Sequence, residues 1–71
     1  MAYAVVYFID DELTSEVPTN WLHKDGNDYM CWWPPPNTNN TKSLIMKRAE
    51  PNIKTWMLQR IHVEKYCGKN I

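Results

Sequence analysis

With 71 residues, 44 % of them hydrophobic and only two glycines, the chain is one small domain near the lower limit for a self-sufficient core, and not a linker or low-complexity segment. Its formal net charge of zero gives no drive toward strong autonomous binding of a polyanion. No apolar run reaches the roughly 18 residues a membrane-spanning helix needs, and Met1–Asp10 lacks the basic start of a secretory signal.

The first predicted element is Tyr3-Ala4-Val5-Val6-Tyr7-Phe8-Ile9, a β-branched and aromatic run of strand length, apolar on both faces. Such a strand is covered on both sides, as in the middle of a sheet or in a small barrel. Asp10-Asp11-Glu12 is a charged turn into a second, antiparallel strand, Leu13–Val17. Pro18 ends that strand, and Pro18-Thr19-Asn20-Trp21-Leu22 reads as a tight or 3₁₀-like turn carrying an aromatic anchor. His23–Asn27 finishes the connection on an Asp-Gly turn signal.

Asp28–Trp33 is the third predicted strand. Period two puts Tyr29, Cys31 and Trp33 on one face and Met30 and Trp32 on the other, and Pro34-Pro35-Pro36 stops it. After a polar loop, Thr41 is the expected N-cap of a helix running to Glu50 and closed by Pro51. Leu44, Ile45 and Ala49 form its apolar side, with Lys47 and Arg48 on the other. Ile61-His62-Val63-Glu64 alternates as a strand with Ile61 and Val63 inward, Trp56–Leu58 fits an earlier strand or a turn, and Cys67–Ile71 reads as a frayed end or the start of a further segment. The expected fold is α+β and mostly β: a small SH3/Tudor-like bent antiparallel sheet or barrel of four to five strands with one short helix over about 41–50.

Charge is unevenly distributed despite the zero total. Residues 1–40 carry one base, Lys24, against six acids, whereas residues 41–71 carry seven bases against two acids, leaving the halves five negative and five positive. The two cysteines, Cys31 and Cys67, suit a reduced, packed intracellular pair better than the single bridge of a secreted domain. With His23 and His62 they lack the short ligand spacings of a structural zinc site, so neither metal nor cofactor is expected.

Several of these segments resemble a known pattern. Tyr3-Ala4-Val5-Val6-Tyr7-Phe8, Val17-Pro18-Thr19-Asn20-Trp21-Leu22, Trp33-Pro34-Pro35, Arg48-Ala49-Glu50-Pro51 and Trp56 occur in the order found in an amino-terminal module of poorly characterised, often transposon-associated animal proteins. The opening is also similar to the N-terminus of some BEN-domain transcriptional regulators. The chain departs from the pattern at Pro36, where an aromatic or basic residue is expected. The resemblance implies an N-terminal interaction domain, residues 1–71, of a longer nuclear regulator, and it brings no known ligand with it.

No nucleophile, base and oxyanion donors converge in the sequence, so an enzyme is not expected. The leading expectation is a protein-binding module that recognises a peptide or partner, or a second copy of itself, with Trp21, Tyr29, Trp32, Trp33 and Tyr7 as ligand-binding candidates. The alternatives are a methyl-lysine reader using those aromatics as a cage, or weak nucleic-acid binding through Lys42, Lys47, Arg48, Lys54 and Arg60. Each tryptophan also has a plain structural use, because so small a chain needs large side chains for its core.

Overall fold

The computed structural model describes residues 2–68. Five strands form one antiparallel sheet: β1 (Tyr3–Phe8), β2 (Leu13–Pro18), β3 (Leu22–Asp25), β4 (Asp28–Trp33) and β5 (Met57–Cys67). One short helix, α1 (Thr41–Lys47), lies in the long connection between β4 and β5. The mostly β fold with a single helix is the expected one, and its rolled sheet is consistent with an SH3/Tudor-like domain.

The spatial order is β2-β1-β5-β4-β3, so the two edge strands are consecutive in sequence. Only a 3₁₀ turn, Thr19–Trp21, joins them. Four interstrand gaps of about 4.8 Å would separate the edges of a flat sheet by about 19 Å. Four residues from Pro18 to Leu22 reach at most about 14 Å, and less when coiled. The sheet therefore has to roll, and Trp21 is carried into the space it encloses, where it is fully buried.

β5 makes the rolled sheet continuous. Met57–Ile61 pairs with β4, while Ile61–Cys67 pairs with β1. Ile61 lies opposite both Phe8 and Tyr29 and is buried. A register shift opposite Val5 and Val6 adds local twist at the bend. Ala4, Val6 and Phe8 on the inner face of β1 join Val17, Trp21, Cys31 and Ile61 in the core. As the alternation of β4 requires, Cys31 is buried and Tyr29 and Trp33 pack against the same core.

β5, β3 and α1 differ from the sequence expectation. β5 runs from Met57 to Cys67, so Cys67, read as part of a frayed end, pairs with Tyr3, while 69–71 of that reading lie outside the described residues. Leu22–Asp25, read as part of a connection, is an edge strand antiparallel to β4. Its hairpin uses Gly26 at φ +63° ahead of Asn27, the glycine-first arrangement of a type II′ turn. Thr41 is the first helical residue, preceded by Asn40 in the left-handed region and without a side-chain cap. The helix also stops at Lys47, short of Glu50 and Pro51. Arg48 takes φ 52°, its N–H donates to Ile45 O, and the N–H of Ala49 donates to Leu44 O at 3.0 Å. Those paired bonds are a Schellman closure with arginine where glycine is usual.

Side chains of β1 and of the 3₁₀ turn satisfy carbonyls left over at this helix end. Tyr3 Oη–H donates to Met46 O at 3.0 Å, Asn20 Nδ2 to Arg48 O at 3.1 Å, and Trp21 Nε1–H to Ala49 O at 2.6 Å. A seven-residue helix is unstable alone, so these bonds and the packing of Leu44 and Ile45 on the core hold it in place.

Candidate functional site

The aromatic side chains on the inner face form a contiguous row. Trp33 meets Phe8 edge-on at 5.1 Å between centroids and Trp21 at 5.8 Å, and Trp21 meets Trp56 at 4.9 Å. One end of this row reaches the surface. There Phe8 and Trp33 floor a groove of about 310 Å³, walled by Leu13, Ser15 and Gln59 and rimmed by Asp11. Leu13 is 63 % exposed, an unusual exposure for leucine beside a half-buried tryptophan.

The groove runs beside the terminal strand β2. The N–H of Thr19 donates to Ala2 O, which fixes the phase of the β1–β2 ladder. Leu13, Ser15 and Val17 exchange bonds with β1, and the peptide groups of Thr14 and Glu16 point away from it, toward the sheet edge, where the Ser15 hydroxyl donates to Glu16 O at 3.4 Å. An apolar groove and outward-facing peptide groups thus lie side by side.

The five aromatic candidates do not share one site. Trp21 is fully buried and its N–H is committed to Ala49 O; it is core and offers no surface to a ligand. Trp33 is half-buried in the groove floor. Tyr29 lines a different depression of about 330 Å³ with Ile9, Met30 and Arg60. Its ring already has Lys24 Nζ 5.7 Å from the centroid. A hydrogen bond to Tyr29 also raises the pKa of the Tyr66 phenol, with burial adding to the effect. Tyr7 and Trp32 are on the outer face. Tyr7 lies opposite His62 and Trp32 opposite Leu58, about 13 Å apart along β5. Trp32 meets only His23, at 6.4 Å between rings, among the described aromatic pairs.

The basic candidates also divide. Arg60 donates to Asp10 at 2.6 Å across the barrel end. That hydrogen bond, followed by the guanidinium charge, holds the Asp10 carboxyl below the usual carboxylate range. Both side chains are more than half exposed, so the pair orients the β1–β2 turn more than it stabilises the fold. Lys42, Lys47, Arg48 and Lys54 are exposed on and beyond α1. Sequence reasoning missed Leu13, Phe8 and Asp11 as groove residues; only the exposed leucine's place beside three acids hinted at them.

The buried Cys31 thiol is pushed up to about 12 by desolvation. An alkylating reagent at neutral pH is expected to label Cys67 and spare Cys31 until urea unfolds the chain. Raising the pH to about 9 should not release Cys31, because its thiolate remains disfavoured while the domain is folded. Rapid labelling of both cysteines in the native protein, read by mass spectrometry, would contradict this burial.

Among the described residues no group of three or more His, Cys, Asp and Glu side chains is placed to hold a metal, and no helix is long and apolar enough to cross a membrane. Comparison with known proteins finds nothing similar to this chain: no family model, no curated protein and no solved structure matches.

Proposed function

We propose that this domain is a non-catalytic protein-interaction module that receives an extended or apolar segment of a partner at the groove beside β2. The observation that carries this reading is the placement of Phe8, Leu13 and Trp33 directly alongside outward-facing strand peptide groups. Main-chain bonds to a strand edge supply affinity, and a pocket for a side chain supplies selectivity. The setting, a nuclear regulator related to chromatin or transposons, rests on the sequence resemblance alone.

The other two readings have less support. A methylammonium cage needs rings on separate sides of the cation, each within about 6 Å of it. Phe8 and Trp33 instead touch each other, and Tyr7, Tyr29 and Trp32 lie elsewhere. Nucleic-acid binding would rely on Lys42, Lys47, Arg48 and Lys54 without Arg60, which is engaged by Asp10. Such contacts would weaken steeply with salt, whereas occupation of an apolar groove would not.

Selection from a displayed library of random peptides tests the reading. Peptides captured by the native domain are expected to be lost with Leu13→Asp, which places a carboxylate at the groove wall, and retained with Trp32→Ala on the outer face. Because Leu13 is largely exposed, Leu13→Asp should leave the melting curve nearly unchanged. Binders indifferent to Leu13→Asp would remove the groove as the site.

A further inference from the structure

The acidic β1–β2 turn and the lysine-bearing helix α1 lie at opposite ends of β1, and each presents apolar surface. At one end is the β1–β2 turn, where Asp11 lines the groove over Phe8 and Trp33 and Glu12 precedes the exposed Leu13. Asp10 is engaged by Arg60, while neither Asp11 nor Glu12 has a side-chain partner among the described residues. At the other end is α1, tied to Tyr3 through Met46 O.

The burial pattern of α1 defines its outer face. Leu44 and Ile45 turn inward, while Lys42, Ser43, Met46 and Lys47 are exposed. Residues 42 and 46, and likewise 43 and 47, are one turn apart, so Met46 stands on the solvent face between two lysines. It is 62 % exposed. A methionine flanked by lysines matches, in shape and sign, a leucine-and-tryptophan groove that Asp11 lines and Glu12 adjoins at Leu13. Methionine also adapts readily to an irregular apolar surface.

Within one molecule these surfaces cannot meet. The length of β1 from Tyr3 to Phe8, about 17 Å, separates them and the rolled sheet fixes both. We propose that the domain associates head to tail, the outer face of α1 in one copy, with Met46 between Lys42 and Lys47, seating on the acid-rimmed groove over Leu13 and Trp33 of the next. This rests on the groove being a protein-binding surface and names its occupant. Because the contact joins two different patches, each added copy leaves one of each open. Assembly then continues into chains, or closes as a ring if the rotation allows. Chain-wise association gives a small module a use that a zero net charge alone would hide: it couples copies of a longer protein.

Sedimentation equilibrium on the native domain and two neutralised variants tests this. One variant carries Asp11→Asn with Glu12→Asn; asparagine suits position 12, where the backbone is left-handed at φ 54°. The other carries Lys42→Gln, Met46→Gln and Lys47→Gln. All five positions are exposed, and unchanged thermal melts will show that the fold survives. The native domain is expected to exceed twice its monomer mass as concentration rises toward about 1 mM. That mass should fall between about 0.01 M and 0.15 M salt, as screening shortens from about 30 to 8 Å.

Each variant alone should be monomeric throughout. Their equimolar mixture should form a one-to-one dimer and nothing larger, because each supplies the surface the other lacks. A native domain that stays monomeric to about 1 mM at low salt overturns the proposal. So does a mixture that remains monomeric. In either case the groove reading stands if selected peptides remain sensitive to Leu13→Asp, and falls with this proposal if they are not.

Discussion

Trp21→Ala is expected to unfold most of the population at room temperature. The side chain is fully exposed to water only on unfolding, and full burial of a tryptophan removes roughly 150–250 Å² from solvent, worth about 4–6 kcal/mol of gross transfer energy. Truncation of buried Trp to Ala typically costs about 3–5 kcal/mol. A domain of 71 residues with one core has a net stability of about 3–5 kcal/mol. The two magnitudes are nearly equal, so this single residue decides whether the domain folds. Its position explains why: Trp21 touches Trp33 on β4 and Trp56 before β5, and holds Ala49 O beyond α1.

Trp21→Phe separates two contributions to that effect. It retains an aromatic ring for Trp33 and Trp56 but leaves the Ala49 carbonyl only the 3.4 Å bond from Asn20 Nδ2 in place of its 2.6 Å donor, a loss of about 1 kcal/mol. The expected order of urea midpoints is native, then Trp21→Phe, then Trp21→Ala, with the last lacking a folded baseline by circular dichroism. A Trp21→Ala protein that melts within a few degrees of native would contradict the central role given to this residue.

The local elements were readable where one physical signal dominated. The unbroken β-branched run made β1, Pro18 ahead of Trp21 made the 3₁₀ turn, and strict alternation sorted the faces of β4. Reading failed where the decisive partner is distant. His23-Lys24-Asp25 is polar and short, and becomes β3 only because Met30 and Tyr29 lie opposite it. The closure of α1 at Arg48 uses a left-handed arginine, which leaves no compositional mark. The register shift in β5 breaks the period that would have revealed its full length.

The groove was less legible than the fold for the same reason. Leu13 and Trp33 are twenty positions apart in the sequence and face a common space only after the sheet rolls. Arg60 looked like a free cation until the β1–β5 register put it beside Asp10, fifty positions away. The excess of acids before residue 41 and of bases after it, by contrast, was visible in the sequence. Its consequence, two complementary ends, needed the placement of α1 at the Tyr3 end of β1.

Adjacent residues Trp32 and Trp33 are expected to respond very differently to truncation. Trp33→Ala removes edge contacts to Phe8 and Trp21, each about 0.5–1.5 kcal/mol beyond area burial, together with part of the core-facing surface. A loss of about 2–3 kcal/mol follows, most of the net stability of so small a domain. Trp32 projects from the other face, where a cross-strand neighbour such as Leu58 and the ring of His23 contribute about 0.2–1 kcal/mol. With a urea slope near 1 kcal/mol/M for a protein of this size, the midpoint should fall by about 2–3 M for Trp33→Ala and by less than about 1 M for Trp32→Ala. Groove occupancy should follow the same asymmetry, lost with Trp33→Ala and retained with Trp32→Ala. A one-residue slip of β4 against β5 would exchange the two faces and reverse both results. The paired measurement therefore tests the register that builds the groove as directly as it tests either side chain.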